Sequence, residues 1–181
     1  MKLSFNLKIK IYSHSAFSAP LHRSPLDCVK KKYFMINIRQ ATKADIPAIF
    51  SLVEELALYE KAPEAVITSV EIYERDFEAN IFEAIVAEKD GEIVGMALYY
   101  MAYSTWKGRM LYLEDFVVRD AFRRFGAGQL LFDAFLAVAK QKGATIVKWQ
   151  VLDWNEPAIK FYEKNNAIIE KEWWNGKIFL V

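Results

Sequence analysis

The stretch MLYLEDFVVRDAFRRFGAG, residues 110–128, decides the fold: a strongly apolar run is broken by two adjacent acids and followed by arginines and two glycines. Residues 110–118 read as a β-strand. Adjacent strand residues face opposite sides, so in a central strand at least one of Glu114 and Asp115 is partly buried. Unpaired burial raises a carboxyl pKa, and a raised carboxyl suits a general base for an amine near neutral pH. The alternatives are a salt bridge to Arg109 or Lys148, or an edge strand with wet acids. Arg123-Arg124-Phe125-Gly126-Ala127-Gly128 then falls between this strand and a helix predicted over 126–142. Two glycines let the backbone approach a ligand closely, and the N–H groups of a new helix turn favour a phosphate. Arg123 and Arg124 can add positive charge beside it. An ordinary loop is the plain alternative.

Working outward, Leu130, Leu131, Ala134, Phe135 and Val138 line one side of the 126–142 helix, and Gly143 is placed to stop it. A strand follows over 145–152, then a short helix over 156–164, and the tail to Val181 reads as a final strand or hairpin. Upstream, residues 37–41 read as a strand, and Thr42 with Asp45 caps a helix ending near Tyr59. Ile46, Ile49, Phe50, Val53, Leu56 and Ala57 recur along it at helical spacing. The capping box Thr68-Ser69-Val70-Glu71 starts a second helix at Thr68 that runs to about Asn80. Residues 82–88 and 92–103 form a β-hairpin turning at Asp90-Gly91. A meander followed by a strand, helix, strand unit predicts an α/β fold, with a mixed, mostly antiparallel sheet flanked by helices.

Composition bounds the function. With 181 residues, 54% of them hydrophobic and 26% charged, the chain has room for one domain with a real core, which excludes disorder. No apolar run reaches the roughly 18 to 20 residues of a spanning helix, so no membrane role is expected. The formal net charge of +1 hides a split. Residues 1–34 carry seven basic residues, one acid, both histidines (His14, His22) and the single Cys28. They read as a basic extension ahead of the domain at 35–181, an upstream start or poorly ordered tail, with a targeting segment as the alternative. From Met35 onward, 17 basic face 22 acidic residues. That surface disfavours nucleic acid and favours cationic ligands. One cysteine closes no internal disulfide, so a reducing, cytoplasmic setting is expected.

With histidine and cysteine confined to the leader, the folded part has no Cys nucleophile, Ser-His-Asp triad or His-based zinc site. No metal is expected, and proton transfer falls to carboxylates, tyrosines, lysines or water. A third segment, Trp154-Asn155-Glu156-Pro157-Ala158-Ile159-Lys160-Phe161-Tyr162, opens a helix directly after a strand. Asn155 is a natural cap, Pro157 suits the first turn, and Tyr162 lies two turns on. Alone, Tyr162 is equally a core aromatic.

Together the three segments resemble the GNAT acetyltransferases over essentially 35–181, and within them the diamine acetyltransferases. Glu55-Leu56-Ala57-Leu58-Tyr59-Glu60, Tyr112-Leu113-Glu114-Asp115-Phe116 and Trp154-Asn155-Glu156-Pro157 are similar to that subfamily's signatures. The resemblance implies a splayed sheet holding acetyl-CoA: Phe116, Val117 and Val118 along the pantetheine arm, and Arg123, Arg124, Phe125, Gly126, Ala127, Gly128 and Gln129 around the pyrophosphate. Asn155 and Tyr162 belong to the helix that completes the cofactor site. Tyr59, Glu60, Glu114, Asp115 and Trp106 are implied substrate contacts, Glu114 the base for a small amine and Tyr162 the acid for the departing thiolate. A homodimer is implied as well. Ser104-Thr105-Trp106-Lys107-Gly108 lacks the Asp-Pro of the polyamine branch and is more similar to the thialysine-acetylating branch. The alternatives are a protein or peptide amine as acceptor, or a non-catalytic CoA sensor.

Overall fold

In the computed structural model, which describes residues 36–123 and 125–180, Asp90 and Gly91 both take left-handed backbone angles (φ 52° and 85°). The chain reverses there between β2 (Glu83–Lys89) and β3 (Glu92–Ser104), as the Asp-Gly signal predicts. β1 (Asn37–Gln40) pairs antiparallel with β2, and β4 (Gly108–Val118) pairs antiparallel with β3. β5 (Ile146–Lys148) joins β4 in parallel, so the sheet order is β1-β2-β3-β4-β5. This is the expected mixed, mostly antiparallel sheet.

Strand alternation sorts the core onto two faces. On one face α1 (Ile46–Tyr59) buries Ile46, Ile49 and Leu52 against Ala84, Val86, Met96, Leu98 and Val117, with Tyr73 and Phe77 of α2 (Val70–Glu78) packed beside them. On the other, a single turn α3 (Asp120–Arg123) leads into α4 (Ala127–Gln141). The Phe135 ring of α4 lies 5.8 Å from Tyr99, and Phe132 lies 5.9 Å from Phe116. Each such buried side chain contributes roughly 1.5–3 kcal/mol. Gly95 sets how closely β3, β4 and α4 approach. A Cβ there would stand 2.8 Å from the Val117 carbonyl oxygen and 3.2 Å from Leu131 Cδ1, so only hydrogen fits.

Three elements depart from the sequence reading. The predicted strand over 145–152 is only Ile146–Lys148, because β5 follows β4 no further than Tyr112, just short of an irregularity in β4 that bends it away. The second helix starts at Val70 rather than Thr68. Ser69, extended at φ −139° and ψ 167°, accepts the Ile72 N–H, while the Thr68 hydroxyl is engaged with Tyr73. The predicted terminal strand or hairpin is absent among the described residues. Ile168, Trp173, Trp174, Ile178, Phe179 and Leu180 are exposed, and a two-stranded ribbon with no face to bury is marginal in water. The calls on residues 1–34, Met35 and Val181 lie outside the described residues.

The chain divides into two compact units, one through Lys148 and one from Trp149. In the larger, β1 is fixed by charge. Arg39 donates to both carboxylate oxygens of Asp45 (2.7 and 2.8 Å) and to Glu88 on β2 (2.7 Å). Asp45, which is buried, also accepts from the Thr42 backbone N–H and hydroxyl, the reciprocal cap expected from sequence. The Arg39 bond and then the Thr42 bonds outweigh burial and hold the Asp45 carboxyl down at about 2. Its contribution to stability is therefore complete above pH ~4 and lost as pH falls towards 2. Asp45→Ala is expected to cost about 2 kcal/mol or more at pH 7 by stranding Arg39. Thermal melts of both proteins from pH 7 to pH 2 should show that gap closing.

Candidate active site

β3 and β4 pair Leu98 with Asp115 and then Tyr99 with Leu113. Glu114 is the extra residue of a β-bulge, and the strict alternation of β4 is broken there. Asp115 thereby falls two residues from Val117, on the face covered by α1 and α2, while Glu114 stands exposed at the kink. The Tyr100 and Tyr112 rings stack at 5.3 Å, and the Glu114 charge acts on Tyr100. Glu60, from the end of α1, and Glu114 both act on Asp115, and both β4 acids act on Tyr73 of α2.

The electrostatics follow from that crowding. Burial first, then the charges of Glu114 and Glu60, push the Asp115 carboxyl up to about 6. Burial also raises Glu60, and burial with the neighbouring acids pushes Tyr73 and Tyr100 up to about 12. Among the described residues no cation offsets Asp115, so neither the Arg109 nor the Lys148 alternative describes it. The raised carboxyl of this strand is thus Asp115. Three carboxylates from two elements gather here, walled by tyrosines.

Residues 120–129 make the second part. Gly126 takes φ 82° and caps α4, a conformation that costs glycine little. Gly128 has no such requirement, and a Cβ built on it meets no protein atom within 4 Å. The backbone is therefore bare where the first-turn amides of α4 lack acceptors inside the helix. A diphosphate fits that cradle. Ala127 is fully buried and holds the turn against the core, while Gln129 bonds Asp133 (2.9 Å) and Phe125 is half exposed. Arg124 lies outside the described residues. Arg123 is committed elsewhere: its Nε donates to the Val118 carbonyl (2.7 Å), Nη1 pairs with Asp120 (2.5 Å), and its guanidinium lies over the Tyr59 ring at 5.6 Å.

β4 itself forms the third part. Among the described residues the β5 ladder ends at Tyr112 and does not extend along β4 to Phe116, Val117 and Val118. Trp106 is not brought to the acids within this chain. It is 82% exposed at the β3–β4 turn, about 20 Å along β4 from Glu114.

In the smaller unit, Asn155 caps α5 (Glu156–Lys164) by accepting the Ala158 N–H at 3.3 Å, with Pro157 in the first turn. Tyr162 is buried, its ring 4.7 Å from Trp149 and 5.5 Å from Phe161. Burial raises its phenol pKa, so it stays protonated at neutral pH. Asn166 takes the left-handed angle (φ 61°) that asparagine tolerates after the helix.

Because Asp115 is raised in the fold, its ionisation opposes folding. Stability falls as pH rises from about 4 to about 6 and is level above that. Asp115→Asn is expected to melt higher than the parent above pH 6 and level with it near pH 4; a constant gap across that range would contradict the buried charge.

The chain is similar to known proteins throughout this region. A family model described as the acetyltransferase (GNAT) family matches residues 47–167. Thialysine N-epsilon-acetyltransferase of Bos taurus is 38% identical over 152 residues, covering 77% of this chain and 89% of that protein. The Caenorhabditis elegans protein of the same name is 37% identical over 115 residues, covering 64% and 72%. Among solved structures, an aminoglycoside acetyltransferase from an uncultured soil metagenomic sample aligns with a TM-score of 0.69 at 21% identity, covering 81% of this chain and 97% of that one.

Proposed function

Because the chain belongs to the GNAT acetyltransferase family and is an N-acetyltransferase, we propose that it moves acetyl from acetyl-CoA directly onto the terminal amine of a small cationic acceptor of the lysine, thialysine or short diamine type. The observation that carries this reading is the convergence of Glu60, Glu114 and Asp115, with no cation among the described residues to offset Asp115. An ammonium group relieves the repulsion among them. The names of the two similar proteins support the thialysine-like end of that range.

Acetyl-CoA supplies the activated acetyl group, and its diphosphate matches the bare turn at Gly126, Ala127 and Gly128. The remaining work belongs to this chain's own side chains. An alkylammonium has a pKa near 10.4 and is no nucleophile until it loses a proton. Glu114, exposed at the bulge and within reach of water, takes that proton, while Asp115 beside it keeps the local field negative. As pH falls through about 6, Asp115 gains a proton and the field weakens, so acceptor KM rises. Tyr162 holds its proton firmly by burial and gives it to the departing sulfur.

Acetyl-CoA turnover with thialysine, lysine, putrescine and spermidine as acceptors tests the reading. Turnover is expected on the first two above spermidine, and none on any amine would end it. Glu114→Gln should lower kcat/KM about a hundredfold near neutral pH, with the loss shrinking as pH rises. Tyr162→Phe should lower kcat at least tenfold while leaving the KM for acetyl-CoA nearly unchanged. If Tyr162→Phe acted on KM alone, the phenol would be a packing residue.

A further inference from the structure

The two sides of the proposed site touch where Arg123 meets Tyr59. Tyr59 ends α1 on the acceptor side, and Arg123 opens the turn that leads to the phosphate cradle. The guanidinium lies 5.6 Å from the Tyr59 ring centroid. Its nitrogens are at the same time held by the Val118 carbonyl at the end of β4 and by Asp120. A planar group fixed by its edge and packed through its face is a spacer, not a mobile counter-ion. Arg119, four residues earlier, pins α1 one turn back in a similar way. It bonds Glu55 at 2.8 and 3.0 Å, and also Glu92 (2.5 Å) and the Ile93 carbonyl (3.1 Å). The end of α1 is thus tied to the end of β4 at two successive turns, and the residue directly after Tyr59 is Glu60, whose charge acts on Asp115.

We propose that Arg123 is a positioning residue for the amine acceptor: by seating Tyr59 it fixes Glu60 within the carboxylate cluster, so a residue at the entrance of the cofactor turn governs acceptor affinity. This rests on the amine-acetylating reading above. A cation that only faced a diphosphate would be replaceable by lysine, which keeps the charge and loses the plane. A spacer would not.

The experiment is steady-state kinetics with both substrates varied, on the parent, Arg123→Lys, Tyr59→Leu, Tyr59→Phe and the Arg123→Lys/Tyr59→Leu double variant. Parent turnover on thialysine or lysine checks the underlying reading separately; its absence would sink that reading, not this contact. For the contact itself, Arg123→Lys and Tyr59→Leu should each raise acceptor KM about three- to fivefold, with the KM for acetyl-CoA changed less. Tyr59→Phe, which keeps the ring, should raise acceptor KM less than Tyr59→Leu does, and the double variant should be no worse than the poorer single one. Hydrogen exchange gives a readout free of turnover: amides 58–61 should exchange faster in Arg123→Lys than in the parent. An acceptor KM unchanged in Arg123→Lys, multiplicative effects in the double variant, or unaltered exchange at 58–61 would each overturn the proposal.

Discussion

β4 breaks its own alternation at Glu114, and the placement of both adjacent carboxylates depends on that break. The extra residue between the pairs Leu98–Asp115 and Tyr99–Leu113 has three consequences. Asp115 falls on the face beneath α1 and α2, where Glu60 and Tyr73 reach it. Glu114 is left at a kink open to water. Among the described residues the parallel ladder to β5 stops at Tyr112. The buried acid and the exposed acid therefore come from a single irregularity, and a regular strand with the same letters would place them differently.

The rest of the larger unit holds that strand in place. Gly95 lets β4 and α4 approach so closely that a methyl group would strike the Val117 carbonyl. Arg119 and Arg123 secure the end of β4 to α1, while Arg39 ties β1 to β2 through Glu88 and to the start of α1 through Asp45. Isolated ion pairs of this exposure contribute little singly. Their value lies in registry: Arg39 with Glu88 and Arg119 with Glu55 join residues 49 and 64 positions apart.

Much of this was legible in the letters. Apolar spacing located α1 and α4, the Asn155 cap with Pro157 located α5, the Asp90-Gly91 turn located the central hairpin, and the glycines marked the turn before α4. Two adjacent acids in an apolar strand signalled a buried carboxyl, although alternation alone left open which of them it would be. Only pairing with β3 reveals the bulge that assigns burial to Asp115. Tyr73 and Tyr100 escaped notice because an aromatic at strand or helix spacing reads as core, and Tyr112 stood out only as a letter of a family motif. Arg123 was read as a phosphate ligand, and its stacking on Tyr59 joins residues 64 positions apart that no local pattern relates. The strand over 145–152 and the terminal hairpin failed for one reason: β-propensity describes a residue's fit to a neighbour, and there the neighbour ends or is missing.

The three-residue seam between β4 and β5 has a dynamic meaning. Parting it breaks few hydrogen bonds, whereas parting β3 from β4 breaks a ladder more than three times as long. Thermal breathing of the sheet therefore concentrates along this joint, far below the energy of global unfolding.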